Sequence, residues 1–169
     1  QDRPITILGV LKKAPTETDI DKLKSLKVQF ELILDTAGAG IYGVDVEGIT
    51  TFANNATCNM TGFSKTDILH HHQHSLFHHS YTDGQPYPEE ESGIYRTIQT
   101  GRSGHEEHET FWRKDGTSFP VECISSPIII DGTVQGAVIV FSDITSRIEH
   151  ENSLTNALSE NEKLSQQLA

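Results

Sequence analysis

The chain has 169 residues, of which 35% are hydrophobic, and a formal net charge of −11 at pH 7. This length suits one domain of ~100–150 residues with extensions. The acidic charge argues against contact with nucleic acid or an anionic membrane, because both require basic patches. No apolar run approaches the ~18 residues of a membrane span, and no signal peptide is evident, so we expect a cytoplasmic protein.

The ends and the cysteines add two expectations. The first residue is Gln rather than Met, which indicates a fragment of a longer protein or a processed chain. Cys58 and Cys123 are far apart and have no metal-binding or redox spacing, so we expect two buried free thiols.

Residues 1–17 contain one short apolar run, from Ile5 to Leu11, ahead of Pro15. The run resembles the last strand of a GAF domain, which implies that residues 1–17 are the tail of a preceding GAF-like domain. A disordered leader is the alternative.

Residues 18–37 are predicted to form an amphipathic helix. Thr18 and Asp21 have the spacing of a capping box. Behind them, apolar residues recur at spacings of three and four, which makes one apolar stripe along the helix. The stripe is predicted to cover the outer face of a sheet, the equivalent helix of a partner, or both; it consists of Leu23, Leu26, Phe30, Ile33 and Ala37.

The next segment is predicted to be a β-hairpin from Ile41 to Asn54, with its turn at Glu47-Gly48. Asn54 is expected to cap a short helix over residues 55–61 through its side-chain oxygen. That helix is expected to end at Gly62. Ser64-x-x-Asp67 has the spacing of another capping box and opens a second short helix.

Six of the nine histidines crowd residues 70–79: His70, His71, His72, His74, His78 and His79. Imidazole binds zinc, copper and nickel, so a metal site is one hypothesis, with His70, His72 and His74 as its candidates. No spacing such as His-Glu-x-x-His is present. A polar loop whose charge changes near pH ~6.5 is therefore the simpler interpretation.

Three strands are predicted after a helix over residues 89–100. They are separated by Asp115-Gly116 and Asp131-Gly132, the dipeptides that favour type I′ hairpin turns. The middle strand alternates, with one face predicted to be buried (Phe119, Val121 and Cys123) and the other wet (Ser118, Glu122 and Ser126). The third strand, residues 137–141, is apolar on both faces, which predicts a central position with its outer face covered.

Residues 146–169 contain neither Gly nor Pro and are predicted to be an outgoing helix. Leu154, Asn161 and Leu168 are seven residues apart, and Ala157 and Leu164 lie between them. This is the a/d pattern of a coiled coil, with one Asn that would set register and strand number.

The segment 113–122 followed by 136–145 resembles the C-terminal half of a PAS domain, a sensory module of bacterial signalling proteins. Asp143-Ile144-Thr145 matches the family's junction between the last strand and an outgoing signalling helix. The Asp45-x-x-Gly48 turn, Asn54 and Gly62-Phe63 match the N-terminal half. The resemblance implies an α+β PAS fold over residues 38–145, with a five-stranded antiparallel sheet and short helices on one face, flanked by helices 18–37 and 146–169.

The resemblance also implies a small cavity between sheet and helices and a relay through Asp143 and Thr145. The residues expected to line the cavity are Ile41, Phe52, Asn54, Phe111, Phe119, Val121 and Cys123. Covalent flavin chemistry would need a Gly-x-Asn-Cys-Arg motif, and one haem branch would need a His within residues 89–100. Both are absent, which argues against these two cofactors. The ligand is unknown, and a small metabolite and a non-covalent flavin both stay open.

The sequence therefore predicts a sensory and dimerisation domain without enzymatic activity, because no catalytic constellation is present. We expect a homodimer through the N-terminal and C-terminal helices and an effector downstream in the same chain. The expected effectors are a sensor histidine kinase, a sigma-54-dependent regulator or a diguanylate cyclase. Two alternatives are a metal-responsive module using residues 70–79, and a ligand-free dimerisation scaffold whose core is filled by Phe52, Phe111 and Phe119.

Overall fold

A computed structural model describes residues 15–168, so most of the expected leader, residues 1–14, lies outside the described residues. Its elements are α1 (Glu17–Thr36), β1 (Gly40–Asp45), β2 (Thr50–Ala53), α2 (Asn55–Thr61), α3 (Lys65–Ile68), α4 (Gln73–Phe77), a 3₁₀ turn (Glu89–Glu91), α5 (Gly93–Thr100), β3 (Gly104–Trp112), β4 (Ser118–Ile130), β5 (Thr133–Asp143) and α6 (Thr145–Gln167).

The strands form one five-stranded sheet in the order β2-β1-β5-β4-β3, and every neighbouring pair is antiparallel. This confirms the predicted fold class. It also confirms the central position predicted for the third strand of the meander, because β5 lies between β1 and β4. The face of the sheet that packs against the short helices is called the inner face, and the opposite face is called the outer face.

Aromatic rings fill the space against the inner face. The Tyr42 ring meets Phe77 edge-on at 5.2 Å and Phe141 at 6.0 Å, and Phe111 lies 5.4 Å from Phe77 and 5.0 Å from Phe141. All four rings are buried. Such tilted and edge-on contacts are the favoured geometry of aromatic pairs and add to the gain from burying their area.

Local signals position the short helices as predicted. Asn54 Oδ1 accepts a hydrogen bond from the Thr57 N–H at 3.0 Å and caps α2, and Gly62 ends α2 in the left-handed region with φ of 73°. Ser64 and Asp67 form the predicted capping box at the start of α3. These three signals require only neighbours in the chain, so the sequence reveals them directly.

The two Asp-Gly hairpins differ. Asp131 and Gly132 both have positive φ, 51° and 75°, which confirms the predicted type I′ turn. At the other hairpin only Gly116 has a positive φ, of 84°, so the type I′ prediction is wrong there. The Asp115 carboxylate instead accepts a hydrogen bond from the Thr117 N–H at 2.9 Å, which stabilises a longer loop.

Helix α1 begins earlier than predicted. Its capping box is Thr16 and Asp19, because the Asp19 N–H donates to the Thr16 hydroxyl at 3.2 Å and the Thr16 N–H donates to the Asp19 carboxylate at 3.0 Å. Thr18 and Asp21 have the same spacing, so the sequence pattern alone does not separate the two boxes. The helix contains no fully buried residue, and its predicted apolar stripe is exposed at Leu23, Leu26 and Ile33.

The single helix predicted over residues 89–100 is broken at Ser92. The Ser92 backbone is extended, with ψ of 136°, and the Ser92 hydroxyl accepts a hydrogen bond from the Ile94 N–H. Helix α5 therefore starts at Gly93. The carboxylates of residues 89–91 belong to a separate 3₁₀ turn. A serine before an apolar run is a helix start signal that the continuous prediction overlooked.

Helix α6 confirms the predicted outgoing helix, and its leucines at positions 154, 158 and 164 are more than half exposed. The coiled coil itself stays a prediction. Across residues 15–168, none of the helices combines the length and apolar character that crossing a membrane requires.

Candidate functional site

Four of the seven predicted lining residues lie on the inner face. Phe111, Phe119, Val121 and Cys123 are all buried and belong to one apolar core. Phe111 pairs with Phe119 and Cys123 with Phe141 across neighbouring strands. The structure therefore brings these four residues together against the short helices.

Ile41 and Phe52 lie on the outer face, so their predicted place in the cavity is wrong. Ile41 pairs with Val140, and Phe52 pairs with Gly43. A Cβ added at Gly43 would lie 2.2 Å from the Phe52 ring, so the ring crosses the strand where only a glycine fits. Alternation shows that two residues share a face, but it does not show which face is inward.

Asn54 is a structural connector rather than a lining residue. Its Oδ1 accepts hydrogen bonds from the N–H groups of Ile41 and Thr57, and its Nδ2 donates to the carbonyl oxygens of Leu34 and Ala39, all at 2.8–3.0 Å. The side chain is buried and its amide is fully used. One residue thus joins the end of α1, strand β1 and the start of α2.

A buried hydrogen bond joins the residue that follows α4 to strand β3. His78 Nε2 lies 3.0 Å from Glu109 Oε2, and the His78 side chain is 2% exposed. Its ring packs between Tyr87 at 4.7 Å and Phe111 at 5.2 Å. Because a carboxylate only accepts, Nε2 donates, and Nδ1 is buried with no hydrogen-bond partner among the described residues.

The charge of Glu109 is stabilised by its neighbours. Burial by itself would raise the pKa of Glu109, but the hydrogen bond and charge of His78 and the hydroxyl of Tyr87 outweigh it, so the pKa is lowered. Burial and the adjacent Glu109 charge raise the pKa of Tyr87, which keeps that phenol protonated as a donor.

His74, within α4, is the second buried imidazole of this region. Its Nε2 donates to the carbonyl oxygen of Tyr87 at 2.8 Å, and its ring lies 5.5 Å from that of His78. Burial lowers the pKa of His74, and the charge of His78 adds to this effect. His74 and His78 therefore attach α4 to the loop before α5 and to the sheet, contacts that the histidine pattern did not reveal.

The three predicted metal candidates do not converge on one point. His70 is exposed with φ of 63°, His72 Nε2 faces Glu89 Oε1 at 3.2 Å, and His74 faces Tyr87. Within residues 15–168, no three His, Cys, Asp or Glu side chains are arranged to hold a metal ion. The described structure thus gives the metal hypothesis no ligand set.

Neither thiol is activated. Burial raises the pKa of Cys123 to about 12, and the carboxylates of Glu109 and Glu106 add to the shift. Burial also raises the pKa of Cys58, which is half-buried on α2. Both sulfurs are therefore neutral near pH 7 and poor nucleophiles.

The two predicted relay residues are in direct contact. Asp143 Oδ1 accepts hydrogen bonds from the N–H and the hydroxyl of Thr145, the first residue of α6. Asp143 Oδ2 lies 3.2 Å from Arg113 Nη2. The Arg113 guanidinium also donates to the Met60 carbonyl oxygen at 3.0 Å and stacks 4.0 Å above the Phe119 ring.

A second link to α6 lies on the outer face and was missed by sequence reasoning. Glu122 Oε2 accepts a hydrogen bond from Arg147 in the first turn of α6 at 2.9 Å, and Glu122 Oε1 lies 2.8 Å from His105 Nε2 on β3. The hydrogen bond from His105 and then that from Arg147 lower the pKa of Glu122. The only sequence signal was the position of Glu122 on the face of the middle strand that is predicted to meet solvent.

These features define an α+β domain whose core is linked to an outgoing helix. A family profile described as PAS domain matches residues 38–146. The chain belongs to the PAS domain family.

A relative and two solved structures are similar to this chain. The chain is 26% identical over 129 residues to the transcriptional activator RocR of Bacillus subtilis (strain 168), covering 75% of this chain and 26% of that protein. Among solved structures, an RNA-binding light-oxygen-voltage receptor has a TM-score of 0.63 at 21% identity, over 95% of this chain and 43% of that one. The PAS domain of nitrogen regulation protein NR(II) from Vibrio parahaemolyticus has a TM-score of 0.55 at 19% identity, over 68% of this chain and 96% of that one.

The structural likenesses show the fold alone, because their identities are low. The chain spans about a quarter of the length of RocR, 26%. PAS domains are typical of signalling proteins, and this chain has the architecture of one.

Proposed function

We propose that this PAS domain is a sensory and dimerisation module of a larger signal-transduction protein and is not itself an enzyme. One observation carries the proposal: Asp143 contacts both Arg113 and Thr145, and Arg113 rests on the core ring of Phe119. A change in the core therefore has a continuous route of contacts to the first turn of α6.

The relay would operate as a shift between two arrangements. A ligand or cofactor that displaces Phe111 or Phe119 moves the surface on which Arg113 rests. Arg113 then changes its hold on Asp143, and the hydrogen bonds to Thr145 transmit the change to α6. Such a ligand alters the equilibrium only by the difference between its affinities for the two arrangements.

A small metabolite suits the described residues better than a covalent cofactor. A flavin photoadduct requires a reactive thiol, whereas burial raises the pKa of Cys123. Helix α5, the helix that would supply a haem ligand, runs from Gly93 to Thr100 without a histidine. Non-covalent flavin remains compatible with these residues.

A ligand-free dimerisation scaffold is the second candidate. The observation that favours it is the set of ring contacts at 5.0–6.0 Å among Tyr42, Phe77, Phe111 and Phe141, which occupy the space against the inner face. Three of these rings were not among the fillers proposed from sequence. Phe52, which was proposed, lies on the outer face.

We propose that the module is a homodimer through α1 and α6 and acts on an effector in the same chain. The likeness to RocR favours a transcription regulator, and the likeness to a PAS domain from a two-component sensor histidine kinase keeps a two-component sensor as the next candidate. The exposed leucines of α6 support a helix–helix interface, because a lone helix buries little apolar area.

The relay is tested by Asp143→Ala and Thr145→Ala in a protein that carries the chain ahead of its effector. We expect signal-dependent output to be lost, while the free energy of unfolding falls by no more than about 1 kcal/mol, because partly exposed ion pairs contribute little. Ser142→Ala and Ser146→Ala are matched controls, since both serines are exposed neighbours. Output that stays unchanged in Asp143→Ala would contradict the relay.

The dimer is tested by native mass spectrometry of the 169-residue chain. We expect twice the chain mass, and monomers for Leu154→Lys and Leu164→Lys, which place charges in the a/d seam. Ser159→Lys adds the same charge outside the predicted seam and should leave the dimer intact. A monomeric parent chain would overturn the dimer, and extra mass on the parent would favour a ligand over the scaffold.

A further inference from the structure

A cleft of about 440 Å³ opens beside the His78–Glu109 pair, between β3 and the loop that precedes α5. Its size falls in the range of small-molecule sites. Its lining includes two aromatic rings, Tyr81 and Tyr87, and two carboxylates, Glu91 and Glu109. This cleft is separate from the ring-filled space against the inner face.

The aromatic wall is held in place by the side chain and the backbone of Glu91. The Tyr81 and Tyr87 ring centroids are 4.7 Å apart at an interplanar angle of 57°. The Tyr81 hydroxyl donates to Glu91 Oε2, and the Tyr87 hydroxyl donates to the Glu91 carbonyl oxygen at 3.2 Å. The hydrogen bond to Glu91 raises the pKa of Tyr81, so that the phenol keeps its proton.

The cleft carries two acidic groups and no permanently cationic one. The described residues that line it include Glu91, Glu109 and the imidazole of His108, but neither lysine nor arginine. The Tyr87 hydroxyl approaches Glu109 Oε1 at 3.4 Å, a long hydrogen bond that a stronger donor would replace. Carboxylates that share a cleft with aromatic rings are complementary to an organic cation, because both attract positive charge.

We propose that this cleft binds a small organic cation with a primary ammonium group. The ammonium pairs with Glu109 Oε1 and the Glu91 carboxylate, and the alkyl part packs against the rings of Tyr81 and Tyr87. The inference deepens the proposed sensory function by naming a ligand class. It also identifies Glu109 as the residue through which the bound ligand would first affect the core, because the same carboxylate contacts the buried His78.

The consequence for the fold follows from the shared carboxylate. A cation at Oε1 competes with His78 at Oε2 for the charge of Glu109, and the His78 ring lies 5.2 Å from Phe111. Phe111 lies 5.0 Å from Phe141, two residues before Asp143 on β5. Binding in the cleft therefore reaches the relay through three consecutive contacts.

The test is an NMR titration of the 169-residue chain with n-butylammonium chloride, with n-butanol as the uncharged probe. We expect saturable binding of butylammonium with Kd on the order of 1 mM, as suits so small a ligand, and no saturable binding of butanol. Glu91→Gln and Glu109→Gln should each weaken binding about tenfold or more. Raising the salt concentration should also weaken it.

Two matched variants separate the cleft from the overall acidic charge. Glu90→Gln and Glu107→Gln remove the same charge from exposed neighbours that do not line the cleft, so Kd should stay within about twofold of the parent value. Equal weakening in all four variants would overturn the site, as would equal binding of butanol. Glu91→Gln keeps the test valid if Glu109→Gln does not fold, because Glu91 is exposed.

The site and the relay can fail separately. Absence of saturable butylammonium binding, together with lost output in Asp143→Ala, would overturn the cation site and leave the proposed function standing. Saturable binding that depends on Glu91 and Glu109, together with unchanged output in Asp143→Ala, would support the site and overturn the relay.

Discussion

The two faces of β5 have similar sequences and different surroundings. Ala137, Ile139 and Phe141 point to the inner face and are fully buried. Val138 and Val140 point to the outer face, where Val138 is half-buried and Val140 is 36% exposed. The expectation that this strand is buried on both faces is therefore confirmed for one face only.

The difference separates the stability of the fold from the capacity for assembly. The apolar residues of the inner face are covered within the domain by the short helices and the aromatic rings. The outer face keeps apolar area in reach of solvent, including Ile124 on β4 at 46% exposure. Covering such area yields roughly 25 cal/mol per Å², so the outer face, unlike the inner face, still offers apolar area for assembly.

The largest effect expected on either face is the loss of a core ring. Phe111→Ala removes a buried ring that contacts Phe77, Phe141 and His78, so the free energy of unfolding should fall by about 3–5 kcal/mol. Val140→Ala on the outer face should lower it by less than about 1 kcal/mol. Urea unfolding monitored by circular dichroism measures both. Equal losses would contradict the distinction between the faces.

The next largest effect is expected at Asn54, which joins the end of α1, strand β1 and the start of α2. Asn54→Ala removes a helix cap and leaves the N–H of Ile41 and the carbonyl oxygens of Leu34 and Ala39 without their partner. Together these losses should lower the free energy of unfolding by about 3 kcal/mol. Asn59→Ala, on the exposed side of α2, is the matched control and should be nearly neutral. A neutral Asn54→Ala would return this residue to a ligand-binding role.

A smaller effect is expected from pH. Burial lowers the pKa of His74, the charges of His78 and His72 lower it further, and the Tyr87 carbonyl and Glu89 raise it only in part. In the unfolded chain the pKa is near 6.5, so the unfolded state binds the proton more strongly. Stability contributed by neutral His74 should therefore be complete above about pH 6.5 and be lost as the pH falls through and below that value.

The pH effect is measured as the free energy of unfolding between about pH 7.5 and pH 5.5. His74→Gln should reduce the slope over this window, because Gln does not titrate and can still donate to the Tyr87 carbonyl. His150→Gln, at an exposed position of α6, should leave the slope unchanged. Identical slopes in the parent chain and His74→Gln would rule out His74 as the source.

The features that the sequence predicted correctly depend on few neighbouring residues. The cap of Asn54, the stop at Gly62 and the type I′ turn at Asp131-Gly132 are each determined by one side chain or one backbone conformation. The resemblance added the long-range part, namely the five-stranded sheet, and it also pointed to the local contact between Asp143 and Thr145.

The features that the sequence did not predict depend on residues that are distant in the chain. His78 and Glu109 are 31 positions apart, and Arg113 and Asp143 are 30 apart. No local pattern identifies such pairs. Phe52 was placed on the wrong face because alternation fixes a period, whereas the side that becomes buried is decided by where the helices pack.

The central claim is that the core and α6 are coupled through Asp143, and amide hydrogen exchange of residues 145–150 tests it most directly. Phe111→Leu perturbs the core mildly and is measured alone and combined with Asp143→Ala, with Ser142→Ala as the control background. The account predicts that Phe111→Leu changes exchange in the first turn of α6 in the parent and Ser142→Ala backgrounds, and changes it far less when Asp143 is absent. The same change in all three backgrounds would contradict it.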